Sequence, residues 1–228
     1  MKIYLLPGLG FDHRIFARLD LDGLNVQYIN WIEPKANEPI RDYAKRLAAS
    51  IDDRGVPVIL IGYSFGGIVS QEIAAFKKIE KIILLSSIKS REELPFLFKI
   101  IKPLGIHKVF TKEFSRKTVQ YWGKNHGFEA AATQDLFKSM VGGYSNNYLQ
   151  WALEALSGWS PPEVPVSTPV FQIHGAADKT FPITRIHKPD RIIENGGHIM
   201  VYNQPEIISE ILREEIIITG RQHAPNQN

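Results

Sequence analysis

The sequence predicts a doubly wound α/β fold: a mostly parallel sheet of about six strands with helices on both faces and a helical insertion. Three observations carry that reading. Short apolar runs alternate with amphipathic stretches through residues 1–87, the order that builds parallel sheets. Strand character then lapses from 88 to 167. It resumes at Val170, and the pattern closes on a final helix after Pro205.

Lys2–Leu6 is a compact apolar strand stopped by Pro7-Gly8. Asn25–Trp31 reads as a second strand, closed by Glu33-Pro34. Ile40, Tyr43, Ala44, Leu47, Ala48 and Ile51 then recur at helical spacing, with Gly55 placed to end the helix. Val58–Ile61 is a buried strand that runs into GYSFGG, and a helix apolar on most sides follows from Phe65 to Phe76. Lys81–Ser86 is the next strand. Within 88–167 the clearest helical stripe is Tyr148, Trp151, Ala152, Ala155 and Leu156, after a Gly142-Gly143 break. Pro161, Pro162, Pro165 and Pro169 make a stiff return segment. Strands are expected at Val170–His174 and Arg191–Ile193, and a last helix that begins after Pro205 carries Ile207, Ile208, Ile211 and Ile216.

The expected organisation is a core of 1–87 and 168–220, an insertion of 88–167 and a frayed polar tail at 221–228. An eighty-residue insertion far exceeds an ordinary connection. Its expected place is over the carboxyl ends of the strands, where open α/β sheets bind ligands.

Composition removes several classes of function. With 44% hydrophobic residues, the chain has material for a sizeable core. A net charge of +3 does not require the concentrated basic face of a nucleic-acid binder. There is no cysteine, which excludes disulfides, thiolate metal sites and a cysteine nucleophile. Pro7-Gly8 breaks the first apolar run too early for a secretory segment, and no later run is long enough to span a membrane. A cytoplasmic protein is expected.

Gly62-Tyr63-Ser64-Phe65-Gly66 satisfies G-x-S-x-G where a strand meets a helix. A sharp turn there strains the serine backbone and exposes its hydroxyl at the sheet edge. That hydroxyl needs a base within hydrogen-bond reach. His198, after Gly196-Gly197 and the last strand, is the leading candidate. His174 reads as a turn-stabilising group, and His13 lies where it could touch a substrate. His107 and His126 belong to the insertion, while His187 and His223 read as surface residues. Asp178, beyond the strand at Val170–His174, is the carboxylate placed to orient the imidazole. Asp190 is expected at the opposite edge, Glu194 is expected to point away, and Ser86-Ser87 is followed by no carboxylate before Glu92.

The ordered set LPGLGFD, GYSFGG, HGAAD and GGH, spanning essentially residues 1–217, resembles the α/β-hydrolase superfamily. The chain order Ser…Asp…His matches it as well. The resemblance implies Ser64 as nucleophile, His198 as general base and Asp178 as orienting acid. It also implies an oxyanion hole made by the backbone N–H groups of Phe65 and Leu9. The chain departs from many relatives in reading Pro7-Gly8 in place of His-Gly and in starting directly at a core strand.

The chemistry implied is hydrolysis of a small carboxylic ester, thioester or lactone through an acyl-enzyme, with no cofactor and no metal. Carbon–carbon cleavage, elimination or perhydrolysis on the same scaffold is the alternative, and a catalytically slow ligand receptor is a third. Residues 88–127 hold nine Lys/Arg against Glu92, Glu93 and Glu113. Such a segment can steer an anionic substrate or rest on an anionic lipid surface. It equally describes the solvated faces of helices. The aromatic residues of the insertion, among them Phe96, Phe98, Tyr121, Trp122, Phe128 and Trp151, fit the wall of an apolar pocket, and core packing of the insertion explains them nearly as well.

Overall fold

The computed structural model describes residues 1–221 apart from 129 and 166. Six strands run β1 (Lys2–Leu6), β2 (Val26–Tyr28), β3 (Val58–Tyr63), β4 (Lys81–Leu85), β5 (Val170–Gly175) and β6 (Arg191–Ile193). They form one sheet in the order β2-β1-β3-β4-β5-β6, with every neighbouring pair parallel. The strand ends at Leu6, Tyr63, Leu85, Gly175 and Ile193 therefore share one edge. β3 and β4 are buried at every position, as expected of strands covered on both faces.

The helices are α1 (Ile40–Leu47), α2 (Phe65–Ala74), α3 (Phe96–Lys99), α4 (Lys112–Trp122), α5 (Ala131–Gly142), α6 (Asn146–Gly158), α7 (Met200–Asn203) and α8 (Pro205–Arg221). α2 is buried throughout, which explains why its sequence shows no polar face. Among the described residues, 88–167 contains helices and no strand.

Several boundaries move from their expected places, each for a local reason. β2 stops at Tyr28, because the chain then turns inward and the Trp31 indole donates to the Gly8 carbonyl at 3.1 Å. α1 ends at Leu47 in a short 3-10 turn, where the Ser50 hydroxyl takes the Leu47 carbonyl at 2.8 Å. Gly55, at φ +73°, serves the turn before β3 rather than the helix end. α2 stops at Ala74, two residues before Phe76, and β4 stops at Leu85 because Ser86 takes φ +47°. β3 continues past Ile61 to Tyr63, and β5 past His174 to Gly175. Ile208, Ile211 and Ile216 of α8 are buried, but Ile207 faces outward at 43% exposure. Arg221 closes α8, and the rest of the expected tail, His223 included, lies outside the described residues.

The end of β1 and the start of α2 approach each other closely. A Cβ on Gly66 would run into the carbonyl oxygens of Leu6 and Pro7, and one on Gly62 into the backbone of Gly67. Neither backbone can yield without moving the sheet edge. Gly66→Ala is expected to cost about 2–3 kcal/mol, measured as a lower urea midpoint at unchanged slope.

Candidate active site

Three loops leave the common edge and converge. Ser64 follows β3 directly, Asp178 lies three residues beyond β5, and His198 lies five beyond β6. Ser64 has φ 52° and ψ −119°, a conformation costing about 1–3 kcal/mol for a residue with a Cβ. Its surroundings hold it there. The Ser64 N–H donates to the Leu85 carbonyl at 2.9 Å, and its own carbonyl accepts from the Gly67 N–H at 3.0 Å. The Ser87 hydroxyl donates to that same carbonyl at 2.7 Å.

His198 Nε2 lies 3.0 Å from Ser64 Oγ, and His198 Nδ1 lies 2.9 Å from Asp178 Oδ2. The other carboxylate oxygen of Asp178 accepts the N–H groups of Thr180 at 2.8 Å and Phe181 at 2.9 Å. All three side chains are buried. Burial by itself would raise the Asp178 carboxyl. The charge and hydrogen bond of His198, the nearby His174 and the Phe181 N–H outweigh it and hold the group below its ordinary value.

His174 is the turn-stabilising group expected of it. Its Nε2 donates to the Phe181 carbonyl at 2.7 Å and lies 3.5 Å from Asp178 Oδ2. The ring is fully buried, and burial pushes its pKa down. Asp190 stands at the start of β6 and accepts the Gln172 N–H at 2.8 Å, while Glu194 is exposed. Neither joins the hydrogen-bonded chain of Ser64, His198 and Asp178. His13 is exposed and packs against Tyr28 at 5.6 Å, so the idea that it touches substrate gains no support from its position.

Phe65 directly follows the serine, and Leu9 lies three residues beyond β1 at the same sheet edge. Phe65 is the first residue of α2, where the helix leaves its N–H without an intrahelical acceptor. Leu9 sits in the loop leaving β1, and a Cβ on neighbouring Gly8 would come within 2.9 Å of the Tyr63 ring. The Gly8 carbonyl accepts both the Trp31 indole N–H and the Phe11 N–H, each at 3.1 Å. Sequence reasoning misses Trp31 and Ser87. Nothing in the local pattern marks a side chain whose partner is a distant carbonyl.

The insertion is tied by hydrogen bonds to the loops of this edge. Tyr144 donates its hydroxyl to the Phe11 carbonyl at 2.8 Å, and His126 Nδ1 lies 2.7 Å from Thr180 Oγ1. Asn203 donates to the Gly127 carbonyl at 2.8 Å. The Phe11 ring packs on Tyr63 at 5.5 Å, Phe137 at 5.4 Å and Phe128 at 6.0 Å. Phe181 stands edge-on to His198 at 5.4 Å. A separate cavity of about 550 Å³ lies between the entry to α1 and α6, lined by Lys35, His107, Trp151, Glu154 and Trp159 among others, and touches none of the three converging side chains. Among the described residues no cluster of His, Asp and Glu could hold a metal ion.

A family model described as the alpha/beta hydrolase family matches residues 3–211. The chain belongs to that family. No curated protein matches the sequence. Solved structures do. An esterase from Exiguobacterium antarcticum superimposes with a TM-score of 0.73 at 16% identity, covering 95% of this chain and 92% of the other. A thermophilic esterase gives 0.71 at 17% identity, with 96% and 90% covered. An enol-lactonase from Burkholderia xenovorans gives 0.71 at 14% identity, with 95% and 91% covered. At such identities the likeness is one of fold. In this α/β hydrolase, as in any protein, acid stability follows from which buried groups resist protonation.

His174 supplies a test. Its folded pKa is depressed by burial, so the unfolded chain binds more protons as pH falls below about 6.5, and stability falls with it. The urea midpoint is expected to drop between about pH 7 and 5. His174→Gln, which keeps a donor for the Phe181 carbonyl, is expected to show a shallower drop.

Proposed function

We propose that this chain is a serine hydrolase that cleaves a small carboxylic ester, thioester or lactone through an acyl-enzyme on Ser64. The observation that carries the reading is the relay of Ser64 Oγ, His198 and Asp178, joined at 3.0 and 2.9 Å on a turn of strained serine backbone. His198 takes the proton as Ser64 attacks the carbonyl, then delivers it to the leaving oxygen or sulfur. Asp178 holds the imidazole in one tautomer and stabilises the imidazolium. Water, activated by the same imidazole, releases the acid. The aromatic rings of Phe11, Tyr63 and Phe181 around the relay favour an apolar substrate, and the insertion acts as the cover that excludes water.

The developing oxyanion is received by the N–H groups of Phe65 and Leu9. Trp31 is a positioning residue for the second. In a trans peptide the carbonyl and the N–H point in opposite directions. Two donors on the Gly8 carbonyl therefore fix where the Leu9 N–H points. A preorganised donor of this kind is worth about 3–4 kcal/mol in the transition state.

Turnover of short p-nitrophenyl esters, with mass spectrometry of a fluorophosphonate adduct, tests the assignment. The adduct is expected on Ser64, and Ser64→Ala is expected to fall to background. Asp178→Asn should fold and lose about three to four orders of magnitude in kcat. Equal rates in parent and Ser64→Ala would refute the reading.

A second measurement addresses Trp31. Replacing it with benzothienylalanine keeps the ring and removes the donor. The expected result is a kcat lower by about 10–100-fold, with KM within about twofold and an unchanged melting temperature. A purely packing role predicts the reverse: a lower melting temperature at unchanged kcat.

A further inference from the structure

The surface of the insertion differs from the rest of the molecule. Among the described residues, thirteen large hydrophobic side chains are exposed, and seven of them fall between Phe96 and Tyr121: Phe96, Leu97, Leu104, Ile106, Val109, Phe114 and Tyr121. Leu97 at 73% and Tyr121 at 78% exposure stand clear of any packing. The same 26 residues carry six Lys/Arg and one acid, Glu113. Of the six cations, only Lys102 has a carboxylate within ion-pair reach among the described residues, Glu154 at 3.2 Å.

The arrangement follows from local structure. On α4 the spacing of Phe114, Lys117 and Tyr121 puts a cation between two exposed rings along one stripe, while Ser115 and Val119 face inward. In the preceding segment, buried His107 anchors the chain, and Leu104, Ile106, Lys108 and Val109 project on either side of it. Apolar tips standing among cations are the pattern of a surface that rests in a headgroup layer.

We infer that the outer surface of the insertion between Phe96 and Tyr121 docks on an anionic lipid surface. The aliphatic and aromatic tips enter the boundary between headgroups and acyl chains, and the lysines meet lipid phosphates. A second copy of the chain is a poor occupant, because a two-fold contact would set this cationic face against itself. A purely acidic macromolecule would satisfy the charge and leave the exposed aliphatics in water. The lipid surface answers both. This binding is independent of the hydrolytic chemistry at Ser64.

Co-sedimentation of the full chain with vesicles tests it. Phosphatidylcholine vesicles containing about one-third phosphatidylglycerol are expected to bind at least about tenfold more protein than pure phosphatidylcholine, and the excess is expected to vanish at about 1 M salt, where screening is complete within a few ångströms. Leu97→Ser combined with Leu104→Ser, and separately Lys108→Glu combined with Lys117→Glu, should each lower binding about tenfold at unchanged circular dichroism. Ser64→Ala should bind as the parent does. Equal binding to both vesicle types, or retention by the two double variants, would overturn the inference. So would a concentration-dependent dimer dissolved by the Leu97/Leu104 variant, which would assign the face to a second copy, and so would salt-sensitive binding to single-stranded RNA with none to vesicles.

Discussion

Ser64 occupies a backbone conformation that it would not adopt in a free chain, and the contacts that impose it also organise the sheet edge. Its N–H is tied to β4 through Leu85, and its carbonyl is held by Gly67 and by the Ser87 hydroxyl. The turn can be this tight only because Gly62 and Gly66 let β3, α2 and the end of β1 approach without a Cβ between them. Strain at one residue is thus distributed over three strands, and the hydroxyl is presented at a fixed point. The relay then needs only the loops after β5 and β6 to reach it.

Those loops are stiffened by hydrogen bonds to a buried carboxylate. Asp178 is removed from water, yet two main-chain N–H groups and His198 keep it in its charged form. His174, buried under the same loop, spends its donor on the Phe181 carbonyl, so one short segment between Asp178 and Phe181 is held from both sides. The insertion attaches to that segment through His126 and Thr180, and to the β1 loop through Tyr144 and Phe11. The insertion and the loop that carries the carboxylate therefore share supports.

The core was legible where an element obeys one period over its whole length. β1, β3 and β4 are nearly continuous apolar runs, buried along almost their whole length, and α1 shows its stripe because only one face is covered. Boundaries were less legible. Trp31 looks like the last residue of a strand, but its indole finds the Gly8 carbonyl and pulls the chain out of the sheet. Ile207 looks like part of an apolar stripe, but α8 already buries Ile208, Ile211 and Ile216 on the other side. Propensity cannot choose between such outcomes, since each is settled by what lies across the gap.

The sequence alone determined the residue types and their order along the chain: a serine between glycines at a strand–helix junction, then an aspartate and a histidine, each just beyond a later strand. Those features are local, and local stereochemistry reads them directly. Tertiary structure decided the rest: that three loops from parallel strands meet within hydrogen-bond distance, that Ser87 and Trp31 secure two carbonyls of the site, and that the apolar residues of 96–121 divide between packing and solvent. Pairings across tens to more than a hundred residues depend on sheet order and loop path, and no short stretch of sequence encodes either.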